Sequence, residues 1–235
     1  MKRTKALLLL GSILLGLGLS SCGVHKPLPA PAPIKQIPLP PSPPPTLTQW
    51  TRPTGDSIHE EMRAVWLTTG YGLDWPRDKA DTPDGVRRQK ESLIRILDRL
   101  QADGYNTVFL QLRHSGTVIY PSDYEPLSTR FAGEGFFGDY DPVHFAIEAC
   151  HERGLSLHAW FVTYPLSSSK RYPHPLLSDH PGWAIPHKGS HHLDPGNPEV
   201  RTYIAHLATD LVRRYPVDGI HFDYFRYPEG AEHFM

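Results

Sequence analysis

The chain has 235 residues, of which 39% are hydrophobic and 21% are charged, and its formal net charge is -1. This length and composition exclude a chain that is disordered throughout and allow one sizeable domain. The 24 Lys and Arg residues are balanced by 25 Asp and Glu residues, so the sequence lacks the basic excess that neutralises phosphates, and we expect no nucleic-acid partner.

The first 22 residues have the layout of a secretory signal, which we expect to be removed. A basic start is followed by an apolar run over residues 6–19 that is too short for a comfortable membrane span. Residues 19–22 read Leu-Ser-Ser-Cys, which resembles the bacterial lipobox. The sequence therefore predicts acyl chains on Cys22 that anchor a lipoprotein in the cell envelope, on the periplasmic side of the outer membrane. The alternative is an ordinary signal peptide with an incidental cysteine.

Residues 23–58 predict a disordered, proline-rich tether. Ten of the 25 prolines of the chain lie between Lys26 and Thr46. An extended polyproline segment rises by a few ångströms per residue, so this stretch holds the domain that follows ~60 Å from the anchor. We expect that domain over residues 59–235. A docking site for proline-recognising modules is the alternative reading of the tether.

From Arg63 onward, predicted strands alternate with predicted helices. The strands cover residues 63–69, 106–112, 155–161 and 217–222, and the helices cover residues 89–100, 142–153 and the segment after Asn197. Asp141 and Asn197 each stand directly before a proline, which is the arrangement of a helix N-cap. Repeated strand-helix units with right-handed crossovers predict an α/β fold, either a (β/α)₈ TIM barrel or an open doubly wound sheet. We favour the barrel, because no GxGxxG motif follows these strands and polar and aromatic residues collect after their carboxyl ends.

The spacing of the strands predicts only part of a barrel. Strands that recur about every 50 residues need roughly 400 residues for eight units, near the upper end for this fold. We therefore expect the first four strands of a longer protein. The alternative is a half barrel that pairs with another copy. We favour the longer protein, because an unclosed parallel sheet exposes an edge that natural proteins normally cover.

The last predicted strand carries the candidate catalytic residue. Its alternation places Ile220 and Phe222 toward the helices and places His221 and Asp223 toward the barrel interior, with Asp223 at the mouth. A carboxylate in that position can act as general acid, general base or nucleophile. The alternative is a structural aspartate that pairs with Arg226.

Aromatic and hydrogen-bonding side chains near the other strand ends suit a sugar, because a pyranose ring presents an apolar face and a rim of hydroxyls. The predicted substrate-binding residues are Trp66, Gln111, Arg113, His158, Trp160, Tyr164, His221 and Arg226. For the two tryptophans, core packing is the alternative.

Other chemistries find little support in the sequence. His187, His191 and His192 lack an added carboxylate and HExxH spacing, so we predict a solvated loop there, with no metal site and no cofactor. No GxSxG motif is present, and Cys150 lies in an apolar helical pattern. Both observations argue against a serine or cysteine nucleophile.

Seven ordered motifs resemble the glycosyl hydrolase-like 10 family of bacterial envelope lipoproteins. The motifs are EMRAVWLTT (61–69), QLR (111–113), YPS (120–122), YDP (140–142), LHAWF (157–161), LDPGNPEVR (193–201) and VDGIHFDY (217–224). The resemblance implies a (β/α)₈ barrel, glycoside hydrolysis and, for some relatives, action on peptidoglycan glycan strands stripped of peptides. It covers the first half of the family's barrel.

Glycosidases usually use two carboxylates, and the sequence offers one at a strand end. Asp74, Asp123, Glu125, Glu134 and Asp139 lie in predicted loops, so we expect the second carboxylate from later strands. The leading hypothesis is an envelope-anchored glycoside hydrolase that acts on a polysaccharide. The alternative is a glycan-binding lipoprotein without catalysis, or an inactive fragment.

Overall fold

The structure is a computed structural model that describes residues 61–133, 135–166 and 174–230. The predicted signal, the predicted lipidation at Cys22 and the predicted tether lie outside the described residues, as does Glu134. Within the described ranges, no helix is both long enough and apolar enough to cross a membrane.

Strands and helices alternate along the described chain. In order they are β1 (Ala64–Leu67), α1 (Pro83–Ala102), β2 (Thr107–His114), β3 (Thr117–Val118), α2 (Thr129–Ala132), α3 (Pro142–His151), β4 (Ser156–Val162), β5 (Pro165–Leu166), α4 (Pro175–Asp179), β6 (Ala184–His187), β7 (Ser190–Leu193), α5 (Pro198–Arg214) and β8 (Gly219–Asp223). A short 3₁₀ turn at Gly70–Gly72 follows β1.

Four parallel strands form the main sheet, in the order β1, β2, β4 and β8, and β3 pairs antiparallel with the end of β2. The helices α1, α3 and α5 connect these strands in turn. The fold is therefore the α/β type predicted from sequence, a TIM-barrel arrangement of which the described residues supply four strands.

Local sequence explains where the long helices begin. The Asp141 carboxylate accepts hydrogen bonds from the N–H groups of Val143 (2.9 Å) and His144 (3.0 Å) at the start of α3. The Asn197 side chain accepts one from the N–H of Glu199 (2.8 Å) at the start of α5. Each cap is followed by a proline at the first helical position, where the missing N–H costs nothing. Both predicted caps are confirmed.

The hydrophobic core lies between the outer face of the main sheet and the helices. Burial of each large aliphatic side chain there stabilises the fold by about 1.5–3 kcal/mol. The core includes Leu93, Leu97, Leu110, Leu112, Ile147, Leu157, Ala159, Phe161, Leu207 and Leu211. Because side chains alternate along a strand, the remaining residues of β2, β4 and β8 point to the opposite face, which is the barrel interior.

A second, small antiparallel sheet corrects one prediction. Strands β5, β7 and β6 pair in that order, so His187, His191 and His192 lie in a hairpin and not in a solvated loop. Lys188 and Gly189 form its two-residue turn with φ values of 45° and 79°, the positive pair that suits the twist of a tight hairpin. The pairing half-buries His187 and His191 and leaves His192 only 4% exposed.

Candidate active site

Asp223 ends β8 on the interior face of the sheet, with both carboxylate oxygens hydrogen-bonded. Oδ2 accepts a hydrogen bond from the indole Nε1–H of Trp160 (3.1 Å), and Oδ1 accepts one from the backbone N–H of Tyr224 (2.7 Å). Tyr224 itself has a left-handed backbone, with φ of 49°. Two donors therefore fix the orientation of a half-buried carboxylate at the carboxyl end of a parallel strand.

An aromatic cluster lies beside Asp223 on the same face. Trp66 stacks on Phe109 with ring centroids 4.7 Å apart, and the rings of His158 and His221 each lie 5.1 Å from Phe109. Three predicted residues are thus brought together around Phe109, which was not predicted. Its place could have been inferred from sequence, because Phe109 lies two residues before Gln111 on β2 and therefore shares the interior face with it. Trp66 is 50% exposed in the described structure.

Gln111 holds the loop after β1. Its Oε1 accepts hydrogen bonds from Thr68 Oγ1 (2.8 Å), Gly70 N (2.7 Å) and Thr69 N (3.1 Å), and the residue is 2% exposed. The Asp74 carboxylate accepts a further bond from Thr68 N at 2.9 Å. Gln111 therefore shapes the opening through this loop, whereas sequence predicted that it lines the opening directly.

Arg113 is fully buried, which differs from its predicted contact with substrate. Its Nε and Nη2 donate to the two oxygens of Glu125 at 2.7 and 2.5 Å, and its Nη1 donates to the carbonyls of Val162 and Thr163 at 2.6 Å. Tyr203 donates its hydroxyl to Glu125 at 3.0 Å. A charge taken out of water needs such partners, and here the pair fastens the ends of β2 and β4 to the loop before α2.

Tyr164 follows β4 and Arg226 follows β8, and both contact the segment after β8. Tyr164 is 3% exposed, and its ring stacks on that of Phe225 with the ring centroids 5.3 Å apart. Tyr164 is therefore a buried packing residue for the segment after β8. The Arg226 guanidinium lies 5.5 Å from the centre of the Tyr224 ring and 4.0 Å from Glu229. Arg226 is therefore exposed beside Tyr224, and the carboxylate with which it pairs in the described structure is Glu229.

The loop carboxylates of the described residues have other partners or lie apart. Glu125 is buried with Arg113, and Asp123 pairs with Arg214 at 3.0 Å. Asp139 lies exposed in a turn. Among the described residues, Asp223 is the one carboxylate that ends a strand of the main sheet.

Two clefts open at the carboxyl ends of the strands, and Tyr71 and Ser115 border both. The first, about 470 Å³, lies between the loops after β1 and β2, and its lining includes His114, Arg130 and His174. The second, about 500 Å³, lies between the β6–β7 hairpin and residues 224–229, directly after Asp223. Each has the volume of an ordinary small-ligand site.

Residues 61–233 match the model of the family described as glycosyl hydrolase-like 10. The chain belongs to this family. It is 34% identical over 194 residues to glycosyl hydrolase DigH of Escherichia coli (strain K12), a match that covers 75% of this chain and 44% of DigH. It is also 34% identical over 174 residues to glycosyl hydrolase YngK of Bacillus subtilis (strain 168), covering 72% of this chain and 34% of YngK. The chain thus spans less than half the length of these relatives.

A solved structure supports the fold. The crystal structure of a hypothetical protein from Ruminiclostridium thermocellum ATCC 27405 superposes with a TM-score of 0.50 at 17% identity, over 70% of this chain and 78% of that one. At this identity the likeness concerns the fold alone. The glycosyl hydrolase-like 10 match itself covers all of β1 to β8, including Asp223.

The position of Cys150 argues against a nucleophilic role in this member of the glycosyl hydrolase-like 10 family. It is buried in α3, and burial raises the pKa of its thiol to about 12, so the thiolate is scarcely populated at neutral pH. In the part of the chain that the structure describes, no group of three or more His, Cys, Asp and Glu side chains could hold a metal ion.

Proposed function

We propose that this chain supplies part of the active site of a glycoside hydrolase, with Asp223 as a catalytic carboxylate. The observation that carries the proposal is the placement of Asp223, which ends β8 on the interior face and is oriented by Trp160 and by the N–H of Tyr224. In barrel enzymes the reacting groups stand at this end of the strands. Family membership supports the same reaction class.

The carboxylate can work in one of three ways: it can protonate the leaving oxygen, activate a water or attack the anomeric carbon. The second carboxylate would stand about 5–5.5 Å away for retention of configuration or roughly 6.5–9.5 Å away for inversion. We propose that it comes from strands of the same protein beyond the described residues. The half-exposed ring of Trp66 is the proposed platform for the apolar face of a sugar.

We further propose a polysaccharide substrate in the cell envelope, with peptide-free peptidoglycan strands as the candidate. The support is the motif resemblance and the lipobox ending at Cys22, which would hold the domain on a membrane through acyl chains and a proline-rich tether. The polysaccharide and the lipid anchor at Cys22 are the partners that this proposal requires.

The test is the release of reducing ends from peptide-free glycan strands by the protein as its host produces it. We expect Asp223→Asn to lower the rate by about 10²–10⁴, the usual contribution of a positioned acid or base. The matched control is Asp123→Asn, which removes a surface carboxylate paired with Arg214 and leaves the rate unchanged. Full activity in Asp223→Asn would remove this residue from the mechanism and overturn the proposal.

A second candidate is a tethered glycan-binding protein without catalysis. It is favoured by the half-exposed Trp66 and by the single strand-end carboxylate among the described residues. It predicts that the protein retains glycan in a pull-down, produces no new reducing ends and loses binding in Trp160→Ala. New ends that depend on Asp223 would exclude it.

A further inference from the structure

We propose that the cleft between the β6–β7 hairpin and residues 224–229, called here the hairpin cleft, binds a sugar unit that carries a carboxylate. The inference rests on the proposed function and names the chemistry of one sugar position beside the reacting carboxylate. Tyr224, which follows Asp223 directly, lies in the wall of the hairpin cleft. A sugar held there would adjoin the sugar whose glycosidic oxygen Asp223 protonates or whose anomeric carbon it attacks.

The permanent charge of the hairpin cleft is positive. Among the described residues that line it, Lys188 and Arg226 are the permanent cations and Glu229 is the carboxylate. Lys188 Nζ lies 3.5 Å from one Glu229 oxygen, and Arg226 Nη1 lies 4.0 Å from the other. Two cations therefore share one acid through long, solvent-exposed contacts, which contribute little and are easily exchanged. A ligand carboxylate can replace water around Arg226 and form the planar, two-point contact that a guanidinium favours.

The aromatic walls pre-orient this cation. Arg226 lies over the Tyr224 ring at 5.5 Å, an arrangement that limits the rotamers of the guanidinium before a ligand arrives. Tyr224 and Tyr227 are 49% and 46% exposed, so each offers surface to the apolar face of a sugar. The hairpin cleft thus combines a fixed positive charge with the aromatic surface that carbohydrates need.

The hairpin adds hydrogen-bonding groups. His191 Nδ1 is buried and has no hydrogen-bond partner, although the residue lines the hairpin cleft. His192 is held by its own bond from Nδ1 to the carbonyl of Leu193 at 2.9 Å. A buried polar atom without a partner costs free energy, and a small shift of His191 toward a bound carboxylate or hydroxyl would relieve that cost.

Backbone strain is concentrated around the same space. Among the described residues, four that are not glycine have positive φ, and all four line the hairpin cleft: Tyr71 (57°), Ser115 (53°), Lys188 (45°) and Tyr224 (49°). Residues other than glycine rarely adopt such conformations, which cluster at ligand sites. Lys188 takes its positive φ from the hairpin turn, and the loops after β1, β2 and β8 each place one such residue at the same opening.

The test measures binding of glycan strands in an Asp223→Asn background, so that turnover does not interfere. Peptide-free peptidoglycan strands carry lactyl carboxylates, and the same strands with these groups reduced to alcohols are the neutral probe. We expect reduction to weaken binding about tenfold, as the loss of one charge-assisted contact would. A uronic-acid polysaccharide is the second acidic probe and distinguishes a ring carboxylate from a lactyl carboxylate.

Variants connect the effect to the hairpin cleft. Arg226→Gln should weaken binding of the acidic strands about tenfold and leave binding of the reduced strands almost unchanged. The control is Arg99→Gln, which removes an exposed arginine of α1 and should alter neither. Equal affinity for acidic and reduced strands, or equal losses for both in Arg226→Gln, would overturn the inference. Neither result bears on catalysis, which the activity of Asp223→Asn tests separately.

Discussion

The indole of Trp160 on β4 donates a hydrogen bond of 3.1 Å to the carboxylate of Asp223 on the neighbouring strand β8. The two strands run parallel, with Trp160 opposite His221 in the register. Trp160 therefore reaches two residues further along β8 and fixes one oxygen of the strand-end acid. It is a positioning residue for Asp223 in the proposed mechanism.

Replacing Trp160 by Phe tests this role. The variant keeps an aromatic ring but loses the donor, so we expect kcat on peptide-free glycan to fall by about 10–100-fold with a much smaller change in KM, because a hydrogen bond to a charged group contributes about 1.5–3 kcal/mol. Trp183→Phe is the matched control, because it also loses an indole hydrogen bond, the one of 2.8 Å to Glu199, and Trp183 makes no bond to Asp223. A change confined to KM in Trp160→Phe would show that Trp160 binds sugar and does not position the acid.

The loop after β1 should depend on Gln111. Gln111→Leu leaves the N–H groups of Thr69 and Gly70 without their acceptor, so we expect the free energy of unfolding to fall by about 1–3 kcal/mol in chemical denaturation. Gln101→Leu is the comparison, because Gln101 makes one exposed bond to the Arg153 carbonyl. Equal stability of the two variants would contradict the assigned role of Gln111.

Arg113 and Glu125 should behave as a buried pair. We expect Arg113→Met to lower the free energy of unfolding by about 3–5 kcal/mol, because it leaves the Glu125 charge buried. The double variant Arg113→Met/Glu125→Leu should recover part of this loss, since neither charge then remains. A double variant as unstable as the sum of the two single variants would indicate that the two charges do not interact.

Stability should decline in mild acid. Burial, together with the charge of Arg113, lowers the pKa of His114, and burial also lowers the pKa of His174 and of His192. In each case the folded pKa lies below the unfolded value of about 6.5, so the unfolded chain binds more protons between the two values. The unfolding free energy should therefore be fully retained above pH 6.5 and lost progressively below it.

Thermal midpoints measured between pH 8 and pH 5 would check this, since their slope reports proton uptake on unfolding. His192→Gln should flatten the decline, whereas His144→Gln, at a side chain that is 60% exposed, should not. A midpoint that rises on acidification would contradict the expected direction.

Much of the main sheet could be predicted from sequence because its signals are local. Alternating apolar residues mark the strands, and the caps at Asp141 and Asn197 mark the starts of α3 and α5. The alternation of β8 also placed His221 and Asp223 on the interior face, as the contacts with Phe109 and Trp160 show.

The remaining features depend on contacts between distant parts of the chain. Arg113 lies near the carboxyl end of β2, where a sugar-binding arginine would stand, and only the folded position of Glu125 makes it structural. The hairpin that carries His191 turns at Lys188-Gly189, and lysine is not a residue that usually signals such a turn. From sequence alone, Phe109 resembles a core residue. Its ring partners Trp66 and His221 come from other strands, so its place in the aromatic cluster becomes visible only in the folded chain.

The central claim is most directly tested by a crystal structure of the Asp223→Asn protein, as its host produces it, with a peptide-free glycan oligosaccharide. The proposed mechanism predicts a glycosidic oxygen or an anomeric carbon within about 3.2 Å of the side chain at position 223, with the adjoining sugar in the hairpin cleft. An oligosaccharide bound with every glycosidic bond beyond the reach of that side chain would contradict the claim.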